Sequence, residues 1–313
     1  MRNFSRITIC SVLFAVFFAL LASAAYAAPG DLLATVTLPG NGSCSVNGTF
    51  DGTYYISVDC AGTVLQIYTP PPGDGAATLV STKNVVDGVG TPVTTGGLAW
   101  DPTRNMLWAA YNDNVYLIDI GNPTVSGNAV ATLQFVAGVG GLSLVDGMAY
   151  DSSDDTIYMS PDVDANVYHF SPTGTLLNTV TPKNAAGAPD GQVSGVVVGT
   201  GNTLYIGRSS TEEIRRINKT TGDFISGFAS TTGRVEDLTC DPVTYAPLEA
   251  ILSKDAYAQL YEVFEVEAGT CPLQGTPPAA PAVVPTMNQW GMIFFMVFAV
   301  LGSIYYLRRR RIE

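Results

Sequence analysis

The segment Gly97-Leu98-Ala99-Trp100-Asp101-Pro102, with Met106-Leu107-Trp108-Ala109-Ala110 and Asn114-Val115-Tyr116-Leu117-Ile118-Asp119 behind it, holds three short apolar runs divided by turn residues. Alternating Val, Ile, Leu, Tyr and Thr bounded by Gly, Asp, Asn and Pro is the pattern of half-buried antiparallel strands. The pattern returns at Gly147-Met148-Ala149-Tyr150-Asp151, Thr156-Ile157-Tyr158-Met159-Ser160 and Asn166-Val167-Tyr168-His169-Phe170. It returns again at Gly195-Val196-Val197-Val198, Thr203-Leu204-Tyr205-Ile206-Gly207 and Glu213-Ile214-Arg215-Arg216-Ile217. The starts lie 50 and 48 residues apart, the spacing of a repeat built from small sheets.

Working outward, weaker copies begin at Gly48-Thr49-Phe50-Asp51 and at Asp237-Leu238-Thr239-Cys240-Asp241. A fourth strand follows in the first four units, over Thr78–Thr82, Ala129–Phe135, Thr175–Val180 and Asp223–Phe228. The last unit lacks one, while Leu32–Leu38 stands unclaimed before the first. The sequence therefore predicts an all-β, five-bladed β-propeller over residues 28–271 in which that N-terminal strand completes the last blade. Six blades remain open if loops 83–95 or 181–194 hold a strand. Gly97, Gly147 and Gly195 are expected where first strands crowd one another. Asp101, Asp151 and Asp241 are expected to cap the turns that follow. Trp108, Tyr158, Tyr205, Tyr116 and Tyr168 are expected in the packing between units.

The two chain ends differ from this body. Arg2 and Arg6, the apolar run Ile7–Leu21 and Ala25-Tyr26-Ala27 have the layout of an export signal over residues 1–27, cut by signal peptidase after Ala27. Pro277-Pro278-Ala279-Ala280-Pro281-Ala282-Val283-Val284-Pro285 reads as an extended linker over 272–285. Residues 290–307 are uncharged and end at Arg308, Arg309, Arg310 and Arg311. As a helix they would be about 27 Å long, near the thickness of a bilayer core, so a transmembrane helix is expected there with its arginines cytoplasmic.

The whole chain carries a formal charge of −12, and residues 28–307 carry 9 Lys and Arg against 26 Asp and Glu, a net of −17. That field repels phosphate backbones and excludes nucleic acid as a partner. Cys10 leaves with the signal, and Cys44, Cys60, Cys240 and Cys271 remain. An even count in an exported chain favours disulfides, and Cys44 with Cys60 and Cys240 with Cys271 is the pairing that keeps each bridge within one unit.

Val284-Pro285-Thr286-Met287-Asn288-Gln289-Trp290-Gly291-Met292, with the apolar run and arginine cluster after it, resembles the bacterial C-terminal sorting signal IPTL-CTERM. Pro285-Thr286 and Trp290-Gly291 keep that pattern, while Val284, Met287, Asn288 and Gln289 depart from it. The resemblance covers residues 286–313 and the end of the linker. It implies processing near Pro285-Thr286 by an exosortase-type membrane protease and delivery to the cell envelope or surface of a Gram-negative bacterium. The repeats are also similar to NHL, SMP-30-like and quinoprotein-like propellers.

Asp87, Asp146, Asp190, Glu236 and Asp237 stand just before the first strands. Carboxylates converging on an axis have the chemistry of a Ca²⁺ site, and as unconverged loop acids they are solvated charges. There is no Gly-x-Ser-x-Gly and no His-Glu-x-x-His, and the one histidine, His169, stands in a third-strand position. Asn41, Asn47 and Asn218 open glycosylation sequons and are read as unmodified turn residues. These features favour a non-catalytic surface or matrix module that binds a protein or glycan. The competing reading is a Ca²⁺-dependent or carboxylate-based envelope hydrolase, lactonase-like or glycan-cleaving.

Overall fold

The computed structural model describes residues 28–139, 145–161, 164–208, 211–231, 234–255 and 258–273. The chain divides into two units, Met1–Gly275 and Thr276–Glu313, and the described residues all lie in the first. The signal at 1–27, most of the linker and the tail, with Val284, Pro285, Thr286, Met287, Trp290, Gly291 and Arg308 to Arg311, lie outside the described residues.

The alternating runs form β-strands. After β1 (Leu32–Thr37), the first repeat contributes β2 (Gly48–Phe50), β3 (Tyr55–Val58), β4 (Val64–Thr69), β5 (Gly75–Ala76) and β6 (Thr78–Val86). The second contributes β7 (Leu98–Asp101), β8 (Met106–Tyr111), β9 (Asn114–Asp119) and β10 (Gly127–Val136). The third holds β11 (Val145–Asp151), β12 (Thr156–Pro161), β13 (Val167–Phe170) and β14 (Leu176–Val180). The fourth holds β15 (Val196–Val198), β16 (Thr203–Arg208), β17 (Glu213–Asn218) and β18 (Phe224–Ala229), and the last β19 (Asp237–Asp241), β20 (Glu249–Lys254) and β21 (Leu260–Val266).

These strands do not sort into five separate four-stranded blades, which corrects the expected propeller. β10 overruns β9: Val130–Val136 pairs antiparallel with β9, while Gly127–Val130 pairs in parallel with Lys83–Val86 of β6. The backbone groups of that overhang are satisfied across the two outer edges. The first two repeats thereby merge into one eight-stranded sheet, ordered β2-β3-β4-β6-β10-β9-β8-β7. Its terminal strands β2 and β7 pack on each other, so the sheet is nearly closed on itself. Two separate four-stranded sheets follow, and the last sheet has five strands in the order β19-β20-β21-β1-β5. Within it β1 runs antiparallel to β21, with Val36 opposite Tyr261, and β5 adds to β1 in parallel. The expected transmembrane helix is corrected as a feature of this fold: among the described residues there is no helix, and none long and apolar enough to cross a membrane.

The apolar core is divided into five clusters, each shared by two consecutive repeats. Ile67, Leu98 and Leu107 meet between the first and second, Trp108, Met148 and Ile157 between the second and third, and Tyr158, Val196 and Leu204 between the third and fourth. Tyr205, Leu238 and Phe264 join the fourth to the fifth, and Tyr55, Tyr68, Leu252 and Val263 join the fifth to the first. The five first strands β2, β7, β11, β15 and β19 pack on one another in sequence order, and β19 returns to β2. They come too close for side chains at their entries. A Cβ on Gly147 would lie 2.2 Å from the Ser194 carbonyl oxygen, and one on Gly195 3.1 Å from Asp237 Cα.

Cys44 is bonded to Cys60 and Cys240 to Cys271. The first bridge is exposed, whereas Cys240 and Cys271 are buried. Closed loops of 16 and 31 residues correspond to about 3 and about 4 kcal/mol of lost unfolded-state entropy. Two outcomes are expected in chemical denaturation. Mild reductant should remove about 3 kcal/mol by opening the exposed bridge first, and complete reduction under denaturing conditions should remove the rest. Gly147→Ala should cost about 3 kcal/mol through overpacking, whereas Gly73→Ala, where a Cβ meets nothing within 4 Å, should stay within about 0.5 kcal/mol.

Candidate functional site

At the end where first strands finish, an aspartate caps the turn in four of the five repeats, half-buried at Asp51 and buried at Asp101, Asp151 and Asp241. Asp51 Oδ1 accepts from the amides of Thr53 and Tyr54, both at 2.7 Å, and Asp101 Oδ1 from Thr103 and Arg104 at 2.9 and 3.0 Å. Asp151 Oδ1 accepts from Ser153 at 2.9 Å, and Asp241 Oδ1 from Val243 and Thr244 at 3.0 and 2.8 Å. Three of these acids use the second oxygen as well. Asp101 Oδ2 takes Trp108 Nε1 at 3.0 Å and Arg104 at 2.6 Å, Asp151 takes Lys219 at 2.6 Å from the next repeat, and Asp241 takes the Tyr55 hydroxyl at 2.8 Å from the first. Arg104 reaches on to Asp155 with two bonds of 2.7 and 2.8 Å, the bidentate geometry that makes such pairs strong. Burial opposes the charge on Asp151, but Lys219 and Ser153 bring its carboxyl below the ordinary range. Burial, and then Asp241, hold the Tyr55 phenol far above its ordinary value. These acids are turn caps and ties between repeats. Between them sits a cavity of about 30 Å³ lined by Thr49, Trp100, Tyr150, Val197, Thr239 and Leu273, room for one or two waters.

The opposite end, where first strands begin, holds a second set of groups with perturbed acidity. Asp237 is 1 % exposed, and its carboxylate accepts from the amides of Gly48 at 3.0 Å and Leu238 at 2.8 Å, with Met148 a further donor. Burial pushes this carboxyl well above the ordinary range, and Asp146 on β11 adds to the shift. The Tyr261 hydroxyl lies over Gly48, where a Cβ would come within 1.6 Å of it. Lys254 is fully buried, and burial lowers its ammonium to about 8 against the pull of Asp255 and Asp237. In the β19–β20 ladder Asp237 and Lys254 are direct partners. A raised acid facing a lowered base is the arrangement general acid–base chemistry uses, and it is also what a desolvated structural pair looks like.

The acids expected to converge are divided among separate networks. Asp87 holds its own turn, Oδ1 accepting from Val89 at 3.0 Å and Thr91 at 2.8 Å, and the Thr91 amide chiefly lowers its pKa. Asp190 is buried between Arg208 Nε at 3.1 Å and Arg215, which also reaches Glu213. Glu236 is buried beside Arg234. Asp146 and Asp237 are the two that sense one another. Among the described residues no group of three or more His, Cys, Asp or Glu is placed to hold a metal ion. Asp87 and Asp190 are therefore not partners of Asp237 in a Ca²⁺ site, because each is held by its own local donors.

His169 stacks flat on Tyr158, 4.1 Å between ring centres, and burial lowers its pKa. Of the sequon residues, Asn41 and Asn47 are buried, Asn41 Nδ2 donating to Gln66 Oε1 at 2.8 Å and Val58 O at 3.2 Å. Asn218 caps the turn at Thr220 and Thr221. Sequence reasoning missed Lys254 and Tyr261. Lys254 directly follows the apolar run Ala250–Leu252 and Ser253, and no local signal marks its burial.

No known protein family matches the chain, and no curated protein matches it. Among solved structures it is similar to a glutaminyl cyclase of Myxococcus xanthus, with a TM-score of 0.51 and 14% identity over 76% of this chain and 100% of that one. It is also similar to a luciferin-regenerating enzyme, with a TM-score of 0.48 and 9% identity over 76% of this chain and 95% of that one. The first likeness shows a shared fold.

The Lys254 shift has a testable sign. Its folded value, about 8, lies below the unfolded 10.5, so burial of the ammonium opposes folding below about pH 8 and that opposition is relieved as pH rises toward 10.5. Wild type should gain about 2 kcal/mol on Lys254→Met between pH 8 and 10 in denaturant titrations. Parallel pH profiles for the two proteins would contradict the assignment.

Proposed function

We propose that this chain is an exported surface or matrix protein whose folded domain is a non-catalytic binding module for an envelope protein or glycan. The observation that carries the reading is the employment of its buried acids. Asp101, Asp151, Asp190 and Asp241 each have main-chain or cationic partners inside the fold, leaving their charge to hold the structure. Two disulfides fit an oxidising compartment outside the cytoplasm. The signal at 1–27 supports export and signal peptidase as a partner, and the Val284–Met292 pattern supports attachment to the envelope after processing by an exosortase-type protease.

A second reading, an enzyme, is favoured by one observation, the Asp237–Lys254 pair. It would make proton transfer the reaction type, and the fold is one that a glutaminyl cyclase also uses.

Calorimetric titration of the mature protein with polysaccharide fragments and surface proteins from its own envelope separates the two. Saturable binding with ligand recovered unchanged, retained in Asp146→Ala, is expected. Cleavage of a glycan or lactone, or release of ammonia from an N-terminal glutaminyl peptide, lost in Asp237→Asn and Lys254→Met variants that still fold, would overturn it. Mass spectrometry of the native C-terminus tests the processing step, where an end near Pro285-Thr286 is expected and an intact Glu313 contradicts it.

A further inference from the structure

Lys254 is an expensive residue in this position. Its side chain is fully buried, and a buried ammonium is retained only where hydrogen bonds replace its hydration. All three of its donors are used, on the main-chain carbonyls of Ser45 at 2.8 Å, Asp255 at 3.1 Å and Ala258 at 3.1 Å. The carboxylates of Asp255 and Asp237 are the charged groups that face it. Converging carbonyl oxygens with carboxylates behind them are the donor set of a cation site.

The location is specific. Ser45 lies between β1 and β2, Ala258 precedes β21, and Lys254 ends β20, so the three contacts close the seam where the first and last repeats meet. The Ser45 carbonyl is also held in place beforehand. Its amide bonds the Gly42 carbonyl at 3.0 Å, its hydroxyl meets Ser57 Oγ at 3.2 Å and the Val58 carbonyl, and the Cys44–Cys60 bridge is adjacent.

We infer that this seam contains a binding site for small primary ammonium ions, formed by the carbonyls of Ser45, Asp255 and Ala258, which Lys254 fills from within the chain. The inference is independent of the binding-module reading. Lys254→Ala removes a three-carbon stem and its ammonium, and propylammonium is that missing piece. Truncation strands the carbonyls and should lower the melting temperature by about 10 °C. Propylammonium at a tenth molar should restore several degrees by mass action and leave wild type unmoved. Tetramethylammonium, which has no N–H, should restore nothing, and Lys254→Met should be destabilised and gain nothing from either ion.

Equal response of Lys254→Ala to the two ions, no response to propylammonium, or the same response in Lys254→Met would each overturn the inference. If Lys254→Ala does not fold alone, refolding yield with each ion reads the same question, with recovery in propylammonium only as the expected result and recovery in neither as the contrary one.

Discussion

The domain is governed by how closely the main chains of its five first strands approach one another. Where Gly48, Gly147 and Gly195 stand, a single added carbon would meet a hydroxyl or backbone atom at 3.1 Å or less. Crowding of that degree leaves little room between strands, so their inward amides find partners in protein. Threonines supply some of them: Thr239 Oγ1 accepts from the Phe50 amide and Thr49 Oγ1 from the Trp100 amide, each at 3.2 Å. Asp237 does the same for Gly48 and Leu238. A carboxyl used in this way loses its hydration, which is why its acidity moves so far.

The same constraint explains why charge gathers at the two ends of these strands. Turns there need caps, and adjoining repeats need polar ties once their apolar faces are matched. Arg104 with Asp155, Lys219 with Asp151 and Tyr55 with Asp241 tie repeats together at one end, while Arg208 and Arg215 hold Asp190 at the other. Among the described residues, Arg104, Arg208, Arg215, Lys219 and Arg234 are thus each committed to a buried or partly buried carboxylate.

What was legible in the sequence was what depends on neighbours in the chain. The turn caps at Asp101, Asp151 and Asp241 follow from Asx geometry. The strands follow from alternation, and the glycines at first-strand entries follow from the period of the repeat. The merging of two repeats was not legible, because it depends on where β10 ends relative to β9. The alternation locates Ala129–Phe135 but not the overhang at Gly127 and Asn128 that reaches Lys83 and Asn84. The grouping of acids failed for a related reason. Position before a first strand says which end of the domain a residue occupies, but not which donor claims it, and Asp190 is claimed by arginines from β16 and β17. Lys254 was invisible because the three carbonyls that make its burial tolerable come from main chain, which leaves no mark in composition.

The pairing of β1 with β21 has a consequence in time. A chain made from its N-terminus presents Leu32–Thr37, an uncharged strand, before Leu260–Val266 exists. At about 5–20 residues per second the wait is on the order of ten seconds or more. Throughout it, an unprotected strand edge must be kept from the wrong neighbour. The leading strand is therefore open to misplaced pairing for as long as the trailing one is still being made.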